Sequence, residues 1–451
     1  MVKILFVLAT NTSSKLQTHY PPLGPAYLAS YLRKRFGRDA VECKIVNSDV
    51  EKHIVEFAPD IIGISSVTMN YNFAVEYAKL AKKYSLSVVI GGYHISSMPS
   101  SLTEDMDIGV IGEGEATLAE LVEIFMRHGK FDKSKLEKVD GIIYKDLSGA
   151  IKQTKKRDPI RPIDEIPIPA RDLLQIGDDA HIFTSRGCPY NCIFCASTRF
   201  WSSVRYFSAE YVFEEIKYLI DAYHVKHIHF YDDLFVANRE RIVRITQLLE
   251  NNGYLGKVTF SCQARANLMD DKLGELLKKL GFKSIGIGFE SGCDDTLRYL
   301  KGESVTVEDN ERAIAVAKKF GIGIYGSFII GAPQETKEDI LKTFDFIKHS
   351  KLDGFDMNIF TPLPGTPVWD YAKSRGLVND SMEWKKLNTI AEDFDNAIIL
   401  SEKLSKEELH ELFKMFQKEK SRRNMLYLIK SGITRPLSIP RYLKSLKIFD
   451  L

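Results

Sequence analysis

Three cysteines within eight residues are the part of this sequence best suited to chemistry. Cys188, Cys192 and Cys195 have the spacing C-x-x-x-C-x-x-C and follow an apolar strand predicted over 182–185. Thiolates are the protein ligands of iron–sulfur clusters, and a tight loop can wrap three sulfurs around one face of a cubane. One iron then lacks a protein ligand and can chelate the amino and carboxylate groups of S-adenosylmethionine. The spacing therefore predicts a [4Fe–4S] cluster with one open iron.

A zinc site is the main alternative for these cysteines. Structural zinc sites take four ligands, usually from paired C-x-x-C units, and neither His181 nor Cys262 is placed in the sequence to complete one. A catalytic zinc ion held by three cysteines stays open. Gly187 before the loop and Tyr190 within it favour the cluster, with Tyr190 expected among the cofactor-binding residues. A simple electron-transfer cluster would be expected to have four cysteine ligands.

Composition limits the classes of protein to which the chain can belong. Its 451 residues suffice for about two or three domains, and 44% of them are apolar, which does not fit a disordered chain. A net charge of +2 provides no strong field towards nucleic acid. No apolar run reaches the roughly 18 residues of a membrane span, and the short apolar start fits a buried strand better than a signal peptide. We expect a soluble, cytoplasmic protein with no nucleic-acid partner.

The first α/β region, 1–135, is predicted to be a Rossmann-like, doubly wound parallel sheet, because near-continuous apolar strands alternate with helices. Its strands are predicted over 3–8, 42–46, 61–65, 88–90 and 108–111, and its helices over 25–36, 73–84 and 117–127. A hairpin over 140–154, with its turn at 147–149, and a proline-rich linker occupy 136–175. Glycines and small residues follow the strands, at the edge where open α/β sheets bind ligands.

A second α/β region, 176–375, is predicted to form a partial (β/α)6 TIM-like barrel. Its strands are predicted over 182–185, 227–231, 258–261, 284–289, 325–330 and 356–360. Capping boxes that start at Thr306 and Thr336 mark two of its helices, and functional residues are expected on the loops after the strands. Residues 376–451 are predicted to be helical and basic. They form either a solvated cap over the barrel mouth or a docking surface for an acidic substrate, a membrane or a carrier protein.

The stretch from Arg186 to Cys195 resembles the signature of the radical S-adenosylmethionine superfamily. Further segments resemble the subgroup that carries an N-terminal cobalamin-binding domain. These segments are 22–29, 91–94, 112–117, 230–235, 262–265, 288–292 and 328–336. The resemblance extends over about residues 3–370 and implies three cofactors: a [4Fe–4S] cluster, S-adenosylmethionine and cobalamin.

The resemblance also implies which barrel residues contact S-adenosylmethionine. Asp232 and Asp233 would face its methionine ammonium group, where a carboxylate suits a cation, although they could instead cap a helix. Arg265 would pair with the methionine carboxylate, or else form a surface ion pair. Glu290 and Ser291 would make polar contacts to the ribose and the methionine moiety.

In the N-terminal region, the resemblance assigns the strand-end loops to cobalamin. Glycines would leave room for the corrin, three hydroxyl residues would bind its amides or nucleotide tail, and two ring residues would line it, with His94 a cobalt ligand as the alternative. The candidates are Gly91, Gly92, Gly112 and Gly114, then Ser65, Ser66 and Thr68, and then Tyr93 and His94. The sequence contains no Asp-x-His-x-x-Gly motif, so it does not support a cobalt ligand of that kind. A flavodoxin-like domain without a corrin is the alternative.

Methylation of an unactivated carbon is the reaction that the resemblance favours. Radical cyclisation, ring contraction or carbon–carbon coupling without net methylation is the alternative, and a non-catalytic corrinoid carrier would not need an open cluster. Methylthiolation fits less well, because that class carries N-terminal cysteines for a second cluster and only Cys43 is present here. A flavodoxin or ferredoxin would supply electrons. The sequence assigns no catalytic side chain and leaves lipid, tetrapyrrole, peptide, protein and antibiotic-precursor substrates open.

Overall fold

A computed structural model describes residues 1–11, 21–146, 148–387, 394 and 396–434 of the protein, with side chains described as far as residue 426. The contacts within the chain divide it into two compact units. The first unit consists of residues 1–259 together with 361–388, and the second consists of 260–360 together with 389–451. These units were not predicted as such, and the domain boundaries 1–135, 136–175, 176–375 and 376–451 stay predictions.

Strands and helices alternate along most of the chain. The strands are β1 Val2–Leu8, β2 Val41–Val46, β3 Ile61–Ser65, β4 Ser87–Gly91, β5 Ile108–Val110, β6 Ile142–Lys145, β7 Ile151–Gln153, β8 Asp179–Ile182, β9 Ser185–Arg186, β10 Arg205–Tyr206, β11 His227–Phe230, β12 Thr259–Ala264, β13 Phe282–Glu290, β14 Gly323–Ile330 and β15 Gly354–Ile359. The α-helices are α1 Leu23–Phe36, α2 Val50–Phe57, α3 Tyr71–Lys83, α4 Tyr93–Ser97, α5 Glu115–His128, α6 Lys133–Leu136, α7 Ser197–Phe200, α8 Ala209–Tyr223, α9 Arg239–Asn251, α10 Asp271–Leu280, α11 Asp294–Lys301, α12 Val307–Lys319, α13 Lys337–His349, α14 Pro367–Ser374 and α15 Lys406–Thr434.

The N-terminal sheet of the first unit has the order β2-β1-β3-β4-β5-β6-β7. Strands β1 to β5 are parallel, as predicted from their apolar runs, and residues such as Ile4, Ile61 and Ile108 are completely buried in its core. The predicted hairpin is present as β6 and β7, and it extends the sheet through an antiparallel pairing of β6 with β5. Helix α2 and the short helix α4 were not predicted from the sequence.

The cysteine loop belongs to the second half of the first unit. Strand β8 pairs in parallel with β11, and the two-residue strands β9 and β10 form an antiparallel pair. The strand predicted over 182–185 is therefore wrong in its extent, because the ladder of β8 ends at Ile182 and a separate strand begins at Ser185. Two residues, Phe183 and Thr184, turn the chain from one pairing to the other.

The second unit contains the parallel strands β12, β13, β14 and β15, which pair in chain order. Both predicted capping boxes are present: Thr306 and Thr336 cap α12 and α13, reciprocally with Asp309 and Asp339. Ser405 begins the helix α15 in the same way. Five of the six strands predicted for the partial barrel are found, the one over 182–185 is divided between β8 and β9, and the α/β fold class is confirmed.

Some predicted features lie outside the described residues. They include Leu147 in the hairpin turn and the end of the basic region, residues 435–451. Among the helices that the structure describes, none is both long enough and apolar enough to cross a bilayer.

Candidate functional site

The cysteine loop begins immediately after β9, at a glycine that no other residue could easily replace. Gly187 has a φ of +88°, and a Cβ atom there would lie 3.1 Å from the carbonyl oxygen of Ser203 and from Cβ of Trp201. A side chain would thus be both strained and crowded. The glycine lets the chain turn sharply, so that Cys188, Cys192 and Cys195 follow in one compact loop.

The environment of the cysteine sulfurs fits an iron–sulfur cluster. All three cysteines are free thiols, with Cys192 buried and the other two half-buried. Backbone N–H groups of Tyr190 and of Ser197 and Thr198 donate to the sulfurs of Cys188 and Cys195 respectively. Hydrogen bonds of this kind tune cluster potentials. Burial raises the pKa of the Cys188 thiol to about 11, and iron would hold it as thiolate, since a coordinating thiol is deprotonated.

The described residues contain no group of three or more His, Cys, Asp or Glu side chains placed around a single metal ion. A cubane does not need such convergence, because each cysteine sulfur binds a different iron of the cluster.

The two predicted aspartates after β11 have different environments. Asp232 is 2% exposed and accepts hydrogen bonds from the backbone N–H of Thr184 at 2.6 Å and from the hydroxyls of Thr184 and Ser185 at 2.5 and 2.7 Å. Arg241 lies 3.7 Å from the same carboxylate. Asp232 therefore holds the strands that lead into the cysteine loop. Neither aspartate caps a helix, since α9 begins after its N-cap Asn238.

Asp233 lies beside the cysteine loop itself. Its carboxylate accepts a hydrogen bond from the hydroxyl of Ser197 at 2.5 Å and another from the backbone N–H of Gly187. Burial raises the pKa of Asp233, and its negative charge adds to the rise in the pKa of Cys188 and Cys195. Of the two aspartates, Asp233 is the one whose charge acts on the thiols of the cysteine loop.

A cavity of about 410 Å³ opens at the carboxyl edge of the N-terminal sheet. Most of its wall comes from the ends of β1, β3, β4 and β5 and from α1, and the rest comes from residues that flank the cysteine loop. The lining residues are Phe6, Gly24, Pro25, Tyr27, Leu28, Gly63, Ile64, Ser65, Val67, Val89, Gly91, Gly92, Val110, Gly112, Glu113, Gly114, Glu115, Leu118, Phe183, Arg186, Phe200 and Trp201. The wall is mainly apolar and glycine-rich, as a large corrin face requires.

Charged residues occupy one side of this cavity: Glu113, Glu115 and Arg186 line it, and Arg205 pairs with Glu113. We call these four residues the charged wall; Glu113 is half-buried and the other three are buried. Arg186 donates to Glu113 at 2.8 Å and to Glu115 at 2.5 Å, and Arg205 donates to Glu113. Glu113, Glu115 and Arg186 lie within the segments that resemble the family, but none of the four residues was assigned a role from the sequence. These ion pairs could not be predicted from the spacing of residues in the sequence, because 73 positions separate Glu113 from Arg186 and 92 separate it from Arg205.

Of the candidates predicted for cobalamin, Ser65 and the four glycines line the cavity and the others do not. Gly92 has a φ of +101°, and a Cβ atom there would lie 2.6 Å from the carbonyl oxygen of Ser66, so a side chain would be both strained and crowded. Ser66 donates its hydroxyl to the carbonyl oxygen of Val67, and Thr68 is buried. Both hydroxyl residues therefore sit behind the cavity wall.

Tyr93 and His94 are neighbours in the chain, but their side chains have different surroundings. Tyr93 reaches towards the cysteine loop: its ring lies 6.2 Å from that of Phe200, and its hydroxyl donates to the carbonyl oxygen of Pro364 at 2.5 Å. His94 is completely buried between the rings of Tyr71 and Trp384, at 4.0 and 4.6 Å. Burial lowers the pKa of His94 to about 3, so its ring is neutral at physiological pH.

Three predicted residues belong to the second unit. Arg265 is buried and donates to the hydroxyl of Ser304 at 2.8 Å, which rules out the alternative of a surface ion pair. Glu290 ends β13 with a φ of +62° and pairs with Lys301 at 3.1 Å. Strained backbone of this kind in a non-glycine residue tends to occur at functional sites. Ser291 is completely buried, and its hydroxyl bonds to that of Thr343.

Comparison with known proteins identifies the family. A model of the radical SAM superfamily matches residues 182–347, and a model of the B12 binding domain matches residues 12–122. An uncharacterized methyltransferase of Pyrococcus horikoshii, PH0819, is 35% identical over 425 residues, which are 90% of this chain and 90% of that protein. The chain belongs to the radical SAM superfamily, in its cobalamin-binding branch.

Two more distant matches agree with this assignment. The anaerobic magnesium-protoporphyrin IX monomethyl ester cyclase of Rubrivivax gelatinosus is 28% identical over 80% of this chain and 68% of that protein. The structure of the radical S-adenosylmethionine methyltransferase TsrM from Kitasatospora setae superposes with a TM-score of 0.67, at 19% identity, over 84% of this chain and 77% of that one, which shows a shared fold.

The predicted family, fold class and cofactors are thus confirmed: this radical SAM enzyme uses a [4Fe–4S] cluster, S-adenosylmethionine and cobalamin. A relative that is named a methyltransferase bears out methyl transfer as the leading function. The cyclase among the relatives keeps the predicted alternative open.

Proposed function

We propose that this enzyme transfers a methyl group to an unactivated carbon atom of its substrate. The carrying observation is that residues flanking the cysteine loop, among them Phe200 and Trp201, complete the wall of the cavity at the corrin-binding edge of the sheet. One cavity therefore borders both the strand-end loops and the residues that flank the cysteine loop. When bound, cobalamin supplies methyl transfer, and S-adenosylmethionine at the cluster supplies a hydrogen-abstracting radical.

The residues of the chain have separate tasks in this proposal. Cys188, Cys192 and Cys195 hold the cluster, and Asp233 faces the ammonium group of S-adenosylmethionine beside it. The glycines at the strand ends admit the corrin, and the apolar cavity wall excludes water from reactive species. Arg265, Glu290 and Ser291 remain candidates for contacts to S-adenosylmethionine, and Tyr190 for a contact at the cluster.

The finer predictions on partners and location also belong to the proposal. We propose a small one-electron donor, a flavodoxin or a ferredoxin, in the cytoplasm, where an oxygen-sensitive cluster and free cysteines persist. The class of substrate stays open between small molecules, lipids and peptides or proteins.

A spectroscopic experiment tests the cofactor assignment. The protein is purified anaerobically, reconstituted with iron, sulfide and hydroxocobalamin, and compared with the triple variant Cys188→Ala, Cys192→Ala, Cys195→Ala. The wild type should show both iron–sulfur and corrin absorption, and the triple variant should lose only the iron–sulfur part. A wild type that holds a cluster but no corrin would refute the proposed methyl transfer.

A second experiment separates methylation from cyclisation, which the cyclase relative favours as the other candidate. The reduced holoenzyme is supplied with S-adenosylmethionine labelled with ¹³C in its methyl group. Labelled methylcobalamin should form even without substrate. If the corrin takes up no label although 5′-deoxyadenosine is released, cyclisation or coupling without net methylation becomes the better assignment.

A further inference from the structure

The charged wall joins the two loops that bind cofactors in the first unit. Glu113 and Glu115 flank Gly114 at the end of the cobalamin-binding sheet, and Arg186 lies two residues before the first cysteine of the cluster loop. The guanidinium of Arg186 contacts both carboxylates, at 2.8 and 2.5 Å. Two ion pairs of Arg186 therefore connect the cluster loop directly to the loop that contains Glu113 and Glu115.

The geometry of Arg186 is fixed from every side. Its guanidinium lies between the rings of Tyr27 and Trp201, at 5.5 and 5.4 Å from their centroids. Its side chain is 8% exposed, and the side chain of Glu115 is 5% exposed. A planar guanidinium that stacks on rings and forks between two carboxylates has one orientation, which a lysine ammonium could not reproduce.

The wall is balanced in charge, with two arginines and two glutamates. Arg186 and Arg205 are direct partners in the β9–β10 pair, so their like charges lie side by side, and Glu113 between them receives hydrogen bonds from both. Stability alone does not call for such an arrangement, because well-packed apolar residues usually replace buried ion pairs without loss. The charged side chains of the wall are better explained by the fixed relative position that they impose on the segments that carry them.

We propose that Arg186 is a positioning residue that sets the place of the cluster loop relative to the corrin cavity, through Glu113 and Glu115. The proposal rests on the proposed function, because it assumes that both cofactors react in this space. Methyl transfer and hydrogen abstraction need reacting atoms held to within fractions of an ångström. A loop that carries the cluster without this link would bind its cofactor but present it less accurately.

A double variant removes one complete ion pair from the wall. Arg186→Met with Glu115→Leu leaves the pair between Arg205 and Glu113 and keeps the net charge of the wall at zero. A matched control exists in the same unit: Arg171 and Glu215 form an ion pair at 2.5 Å, with both side chains 1% exposed, and neither lines the cavity. The control variant is Arg171→Met with Glu215→Leu.

Two readouts on the reconstituted holoenzyme test the proposal. The first is the electron paramagnetic resonance signal of cob(II)alamin, which a reduced cluster nearby broadens. The second is the rate at which S-adenosylmethionine methylates reduced cobalamin, a step that needs no substrate. We expect the Arg186 and Glu115 double variant to keep the iron and cobalt content of the wild type, to show altered broadening and to methylate at least tenfold more slowly.

The control variant should match the wild type in both readouts, and Arg186→Lys, which keeps the charge but loses the fork, should give intermediate values. Wild-type broadening and rate in the Arg186 and Glu115 variant would overturn the proposal. Loss of iron or cobalt from that variant, but not from the control, would also overturn it, since the wall would then serve assembly. A wild type that binds no corrin would instead refute the proposed function, and this proposal with it.

Discussion

Filling the cavity from Gly91 should weaken cobalamin binding without harming the fold. Gly91 ends β4 and lines the cavity, its φ lies outside the left-handed region, and a Cβ atom there would meet only Cβ of Val110, at 3.9 Å. The backbone therefore accepts a side chain, and Gly91→Leu would place its branched end in the 410 Å³ cavity. Overpacking of this kind costs about 1–3 kcal/mol, which corresponds to about a 5- to 150-fold weaker affinity.

The assay is a spectroscopic titration of the protein with hydroxocobalamin, alongside thermal unfolding without the corrin. Glycine in a strand costs conformational entropy, so Gly91→Leu should unfold at the wild-type temperature or above it. The control is Gly177→Leu, since no atom lies within 4 Å of a Cβ atom there and Gly177 does not line the cavity. Unchanged affinity of Gly91→Leu for hydroxocobalamin would refute the assignment of this cavity to cobalamin. A lower unfolding temperature would refute the claim that the backbone at position 91 accepts a side chain without strain.

Three further substitutions test other parts of the first unit. Asp232→Asn leaves the buried cation of Arg241 uncompensated, which should cost about 3–5 kcal/mol; thermal unfolding measures the loss, and an unchanged midpoint would contradict it. Asp233→Asn should weaken binding of S-adenosylmethionine about tenfold or more, for a lost charged contact of about 1.5–3 kcal/mol, and calorimetry on the reconstituted protein would detect this. His94→Phe should make the free energy of unfolding less sensitive to acid. Burial lowers the pKa of His94 to about 3 in the folded protein, so only the unfolded chain binds a proton at this histidine between about pH 6.5 and 3. The folded wild type therefore loses stability as the pH falls through this range. Urea midpoints at pH 7 and 5 check this, and equal pH dependence in the variant and the wild type would contradict it.

The sequence predicts the cluster loop well because its ligands are local. Cys188, Cys192 and Cys195 lie within one short loop, so their spacing, together with the strand, Gly187 and Tyr190 around them, favours an iron–sulfur cluster. The parallel sheet was predictable for a related reason, since buried strands appear as apolar runs and their carboxyl ends gather at one edge. The glycines at that edge were correctly expected to leave open space, and Gly91, Gly92, Gly112 and Gly114 all line the cavity.

Features that depend on distant pairs could not be predicted. Ser291 follows a strand, and the sequence does not show that its hydroxyl bonds to that of Thr343, 52 positions away. His94 follows a pair of cavity glycines, but the helix α4 turns its ring into a pocket formed by Tyr71 and Trp384. In both cases the sequence indicated that the residue lies near the end of a strand. It did not indicate the direction of the side chain, because contacts with residues elsewhere in the chain determine that direction.

The chain returns to the first unit after β15. Residues 361–388 belong to the first unit, although four strands of the second unit precede them. Tyr93 donates a hydrogen bond to Pro364 in this segment, and Cys195 contributes to the raised pKa of the same tyrosine, after the larger effect of burial. The returning segment thus packs on a residue that also neighbours the cluster loop. Tyr93 therefore links this segment to the neighbourhood of the cluster loop, a connection between residues 271 positions apart that no local sequence pattern could indicate.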